Sequence, residues 1–204
     1  MLARGAAVGF WGTFVVHRGA RPLTGFFADL EPLRGAEPAG RPVEGWSVTR
    51  VFDSDGELPE DFLTRLRDVT DAPALTARVL DSSAAYVCAA GVDTPPWQVW
   101  LQLQYALGYL LAPPPPFDED GNYLGPDWAD PEYEAASAAL EERLRADAPG
   151  GVEGAGAAVA WAREAGLAPV SAEEVAALLD SENVLAEETF FAFLERLGVT
   201  AAKQ

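Results

Sequence analysis

Few residues in this chain are of the types that carry covalent or acid–base chemistry. There is one histidine, His17, and one cysteine, Cys88. Nucleophilic catalysis needs a nucleophile, a base beside it and a third group to orient the base. One histidine leaves no plausible Ser-His-Asp relay. Placed beside Arg18 at the end of an apolar run, His17 reads as a strand-end or surface residue. Cys88 lies inside Tyr86-Val87-Cys88-Ala89-Ala90, where a thiol acts as a small buried hydrophobe with no nearby cation to lower its pKa. A lone cysteine forms no intramolecular disulfide, and the His/Cys set of a zinc site is missing.

Two acidic turns, Asp53-x-Asp55-Gly56 and Asp118-x-Asp120-Gly121, echo the middle of a calcium loop. Such a loop needs oxygen ligands at positions 1, 3, 5 and 12 around a glycine at 6. Counted from Gly56, the end positions are Val51 and Phe62, and neither coordinates a cation. Counted from Gly121, Asp127 falls at the last position but Pro116 at the first. Both therefore read as turns in which glycine supplies a positive φ, the second being the better of two poor candidates, and no metal is expected. Gly150-Gly151-Val152-Glu153-Gly154-Ala155-Gly156 precedes a helical pattern but follows no strand, and no Lys-Ser/Thr comes after it. It reads as a helix–helix linker, so no nucleotide or other cofactor is expected. Paired carboxylates for glycoside chemistry are uninformative here, because 32 acidic residues make some close pair almost inevitable.

The 204 residues are 49% hydrophobic and 23% charged, with a net charge of −18. That is globular composition, long enough to bury a core without staples. Such a charge repels phosphate backbones and anionic lipid, so direct nucleic-acid binding and membrane binding are not expected. The apolar stretch from Gly5 to Val16 is too short to span a bilayer and lacks a small-x-small cleavage site; it reads as a core strand of a cytoplasmic protein. Residues 1–102 hold 13 acidic and 9 basic side chains, residues 103–204 hold 19 and 5.

The pattern changes near the same place. Phe10–Val16, Leu23–Phe27, Trp46–Phe52, Ala74–Leu80 and Ala84–Ala90 read as strands. The second would be the hairpin partner of the first, and Asp81-Ser82-Ser83 joins the last two. Pro59 opens a short helix with Phe62, Leu63, Leu66 and Val69 on one face. Thr94 and Pro95 would start a helix from Trp97 to about Leu111, apolar around most of its circumference and so central in its domain. Further helices follow from Asp130-Pro131 to about Ala146, from Gly154 to Ala165, from the capping box Ser171-x-x-Glu174, and through Leu185–Leu197. The expected fold is α+β: an antiparallel sheet with one covering helix in the N-terminal half, and a helical C-terminal half. The expected organisation is a β-rich lobe over residues 1–93 and a helical lobe over 94–204, whether or not they share one core.

The segment from Pro113 to Glu134 is the most unusual. It carries seven carboxylates and no basic residue, interleaved with Phe117, Tyr123, Trp128 and Tyr133. A solvated linker has little use for four aromatics. Acids around rigid aromatics suit a docking surface for a basic protein, the charge raising the association rate and the rings supplying anchors. The competing expectation is a long loop pinned to the protein's own core by the same rings. Asp118, Asp120, Tyr123, Asp127, Trp128 and Asp130 are the candidate partner-binding residues. The functional expectation is a non-enzymatic acidic binding protein for a basic protein partner, one form being an immunity- or antitoxin-like inhibitor. The alternatives are a small-ligand-binding protein or a carboxylate- or metal-dependent enzyme with its site between the lobes, and a subunit of a larger assembly.

Overall fold

The structure, a computed structural model, describes residues 9–117, 121–123 and 125–200. It is α+β. Six strands form one antiparallel sheet: β1 (Gly12–Arg18), β2 (Glu37–Pro38), β3 (Trp46–Phe52), β4 (Ala74–Leu80), β5 (Ala84–Ala90) and β6 (Trp97–Leu101). Their spatial order is β2-β3-β1-β4-β5-β6. The helices are α1 (Phe62–Thr70), α2 (Leu103–Leu110), α3 (Pro131–Asp147), α4 (Gly151–Glu164), α5 (Ala172–Leu179) and α6 (Ala186–Arg196).

Strand β1 is rich in β-branched and aromatic residues and lies inside the sheet, paired with β3 and β4. Because side chains alternate between faces, Phe14 and Val16 point one way and Val15 and His17 the other. All four are buried, which explains the unbroken apolar run. The Phe14 face packs beneath α4, α5 and α6. The Val15 face packs against α1 and the short turns at Leu23 and Leu33, while α2 sets Leu103 and Ala106 on Leu80 and Ala84. A division at residue 93 falls in the connection between β5 and β6 of the one sheet, and the largest buried cluster draws side chains from both sides of it.

Two predicted elements are corrected. Leu23–Phe27 is not a strand: Leu23–Gly25 is a single 3-10 turn, and both edges of β1 are occupied by β3 and β4. Nor is Trp97–Leu111 one helix. Trp97, Val99 and Leu101 face the large core and Gln98 and Trp100 the other side, in register with β5; a helix starts only at Leu103, after Gln102 turns the chain at φ 59°. Thr94 therefore caps no helix. The capping box is present as expected, Glu174 N–H donating to Ser171 Oγ at 3.3 Å and Ser171 N–H to Glu174 Oε2 at 3.2 Å. Among the described residues, no helix is long and apolar enough to cross a membrane.

The glycine-rich stretch is the beginning of α4 and not a linker. A Cβ on Gly154 would lie 2.3 Å from the Pro149 carbonyl oxygen and 2.6 Å from Val99 Cγ1, whereas one on Gly156 meets nothing within 4 Å. The first glycine lets α4 approach β6; the second merely weakens the helix. Gly154→Ala is expected to destabilise by about 1–3 kcal/mol through overpacking, and Gly156→Ala to stabilise by up to about 1 kcal/mol. Urea denaturation of the two variants checks the opposite signs.

Candidate functional site

The acid- and aromatic-rich segment follows α2, whose last turn gives way to Pro113–Pro116. Phe117 and Tyr123 form an isolated antiparallel bridge, and their rings meet edge to face at 5.5 Å. The Gly125 N–H closes this loop on the Pro116 carbonyl at 3.1 Å. Next, the Asp127 carboxylate accepts from the Ala129 N–H at 3.1 Å, and Asp130 caps α3 by accepting from the Glu132 N–H at 2.9 Å. Pro131 at the first helical position and Glu132 and Glu134 in the first turn suit the positive end of the helix dipole. Trp128 lies over this cap, edge to face with Tyr133 at 5.4 Å.

These rings pair with each other, and three of them are open to solvent. Phe117 and Trp128 are each 57% exposed and Tyr123 70%; Tyr133 is half-buried. None belongs to a buried core cluster of the sheet. Helix α3 itself buries only Leu140 along its 17 residues. Tyr123 thus sits in the closed loop with Phe117, while Asp127, Trp128 and Asp130 gather at the start of α3. Asp118 and Asp120 lie outside the described residues, as does most of the second calcium-like turn.

The other candidates resolve individually. Asp53 of the first acidic turn faces Arg78, with Oδ2 3.4 Å from the guanidinium, and Asp53–Asp55 is a 3-10 turn closed by Gly56 at φ 107°. Cys88 is half-buried; burial pushes its thiol up to about 11, against the opposing hydrogen bond from Tyr86, so it holds no thiolate near neutral pH. His17 is not at the surface: it has no exposed area, and its Nδ1 lies 3.1 Å from the Arg18 carbonyl oxygen. Burial lowers its pKa, outweighing that hydrogen bond, which raises it. Among the described residues, no three or more His, Cys, Asp or Glu are grouped so as to hold a metal ion.

Two polar constellations had no signal in the sequence. Gln102, fully buried where β6 becomes α2, donates from Nε2 to the Ser83 carbonyl at 2.9 Å. Its Oε1 accepts from Thr189 Oγ1 at 2.6 Å and from the Asn183 N–H at 3.2 Å. Nearby, a cleft of about 420 Å³ opens between β6, the α3–α4 turn and the end of α5, with Arg145, Asp180 and Glu182 among its walls.

The second is the Glu164 carboxylate at the end of α4. It accepts from the N–H groups of Val92, Asp93 and Thr94 at 2.6, 2.8 and 2.9 Å and from the Thr94 hydroxyl. Desolvation opposes its charge, but the bonds from Thr94, Asp93 and Val92 prevail and hold its carboxyl below the ordinary glutamate value. The folded-state value being the lower one, this contribution is complete above the unfolded value and lost as pH falls through the folded one. Glu164→Gln is expected to cost about 1–2 kcal/mol near neutral pH, taking the magnitude for hydrogen bonds to charged groups and discounting it for solvent screening. Urea unfolding of both proteins should show that difference shrinking as pH is lowered to about 3.

The geometry defines a class: an acidic α+β protein built on one antiparallel sheet, carrying a solvent-exposed aromatic and acidic loop–helix unit. The chain matches no protein-family model, and comparison with curated proteins and with solved structures gives no match either.

Proposed function

We propose that this protein is a non-enzymatic acidic binding protein that recognises a basic protein partner through the loop and helix from Phe117 to Glu134. One observation carries the reading. The rings of the segment pair with one another at the surface and do not join the core. That arrangement leaves rigid aromatic anchors exposed among carboxylates, with the electrostatic field to steer a basic surface onto them. The concrete form we put forward is an immunity- or antitoxin-like inhibitor that caps a basic toxin such as a nuclease.

The test must spare the carboxylates that hold the segment together. Asp127 and Asp130 bond backbone N–H groups, so removing them would confuse binding with folding. Neutralising Asp118, Asp120, Glu132 and Glu134 to their amides leaves those two bonds in place, and thermal unfolding of the variant checks that it is folded. Pull-downs from native lysate with the wild type are expected to retain a stoichiometric basic protein that is released as salt rises. The amide variant should bind it about tenfold more weakly and with a shallower salt dependence. No basic partner, or one held equally by the variant, overturns the assignment. A small-ligand or enzymatic role is the second reading, favoured by the cleft at Arg145, Asp180 and Glu182. Its sign would be ligand binding or activity dependent on an added divalent ion and lost in Asp180→Asn.

A further inference from the structure

We propose that residues 20–36 form a flap that opens in mild acid, when the buried His17 beneath it takes up a proton.

The flap is a self-contained piece of chain. It leaves β1 at Gly19 and is pinched at its base, where the Gly19 N–H donates to the Gly45 carbonyl at 2.7 Å and Ser47 Oγ donates to the Gly19 carbonyl at 2.6 Å. Its backbone hydrogen bonds run from the Gly25 N–H on the Pro22 carbonyl to the Ala36 N–H on the Leu33 carbonyl. They close within the segment, and among the described residues none reaches the sheet. Arg21 donates to the Gly25 carbonyl and Arg34 pairs with Glu31, again internally. Side chains alone dock it: Leu23, Phe27 and Leu33 are buried with Val15, Val51 and Phe62, and Arg65 of α1 lies over the Phe27 ring at 5.3 Å. The fit is incomplete, for a cleft of about 350 Å³ lies between the flap and strands β1 and β3. A segment held by a few side-chain contacts is of the kind that opens locally while the sheet stays folded.

His17 lies under this cover. It has no exposed area, and the ring of Phe26 in the flap meets it edge to face at 5.9 Å. Facing the Arg18 carbonyl, Nδ1 carries the proton of the neutral ring, and Nε2 is buried with no hydrogen-bond partner. A second proton would go to Nε2 and make a buried cationic N–H without an acceptor, a costly state that contact with water relieves. The charged groups around it offer no compensation. Ser47 stands opposite His17 on β3, and Arg50 of that strand is taken by Glu37 at 2.8 Å. The flap carries Arg21, Arg34, the exposed Asp29, and Glu31, which Arg34 engages. On α1, Asp61 pairs with Arg65 at 3.7 Å and Asp68 with Arg67 at 2.6 Å. Burial accordingly lowers the pKa of the ring, against the bond to Arg18 that raises it. The closed flap is therefore fully favoured above the ordinary histidine value of about 6.5, and loses that preference as pH falls from there toward the closed-state value.

Because His17 is the only histidine, ¹⁵N NMR follows its protonation directly. Hydrogen exchange read by mass spectrometry, corrected for intrinsic rates, follows the flap. Protection of residues 20–36 is expected to fall by up to about tenfold between pH 7.5 and 5.5, a range above that in which carboxylates ordinarily titrate, while β4 and β5 keep theirs. His17→Leu, neutral at every pH, should hold flap protection constant over the same range, and His17→Gln supplies a second neutral side chain should leucine not fit. Unchanged flap protection in the wild type overturns the proposal. So does the same fall in a folded variant, an equal fall in β4 and β5, or a ring that becomes protonated with the flap still protected.

Discussion

Alanine in place of Trp161 is expected to lower the free energy of unfolding by about 3–5 kcal/mol. The side chain is fully buried and is the largest such residue among those described. Its ring lies 5.9 Å from that of Trp46 and 6.3 Å from that of Trp97, and its Nε1–H donates to the Ala90 carbonyl at 3.3 Å. Truncation would empty a space walled by rigid rings and leave that carbonyl without its donor. The α4 neighbours facing the same core, Ala155, Ala158 and Ala162, are too small to fill the gap. Since domains of this size are stable by only about 5–15 kcal/mol, denaturant unfolding followed by circular dichroism will show a large shift or no folded baseline. Trp161→Phe keeps part of the volume and should lose distinctly less. A loss below about 1 kcal/mol in the alanine variant would mean that α4 does not dock on the sheet in this way.

Trp128→Ala should do the opposite. The ring is 57% exposed and meets Tyr133 edge to face, so stability should change by less than about 1 kcal/mol. Affinity for the proposed basic partner should fall by about 30-fold or more, the loss typical of an aromatic anchor at an interface centre. Calorimetric titration and thermal unfolding of the same preparation measure both. Large destabilisation with unchanged affinity would mean that the ring serves the protein's own fold, the expectation the surface geometry argues against.

How much of this was legible in the sequence depended on whether the deciding contact was local. The β4–β5 hairpin, α1, the Ser171 capping box and the Asp130-Pro131 helix start all rest on residues within a turn of one another, and each is present. Trp97–Leu101 was misread because a strand with apolar side chains on both faces resembles a helix that is apolar all round. What makes it a strand is the edge of β5, which no local pattern reveals. Likewise the left-handed conformation of Gln102 is supported by groups as far along the chain as Thr189. The composition of the acidic segment singled it out, while the pairing of its rings and the exposure of Trp128 required coordinates. The depth of His17 was invisible because strand alternation gives a face, and the cover over that face comes from turns whose sequence reads only as loop.

The way the chain closes on itself has a consequence for its synthesis. The ring of Phe14 in β1 stacks on that of Phe190 in α6 at 5.2 Å, and the Val43 N–H donates to the Val199 carbonyl at 2.8 Å. The sheet is complete in sequence at Leu101, yet the helices that cover its larger apolar face begin only at Gly151. During translation at about 5–20 residues per second, that face must wait for roughly 5–20 s before its last cover has been made. A nascent chain in this interval presents a finished row of strands with one bare hydrophobic side, the form most prone to associate with others like it. Cellular yield should therefore depend on elongation rate and chaperone supply more steeply than the equilibrium stability of the finished molecule would indicate.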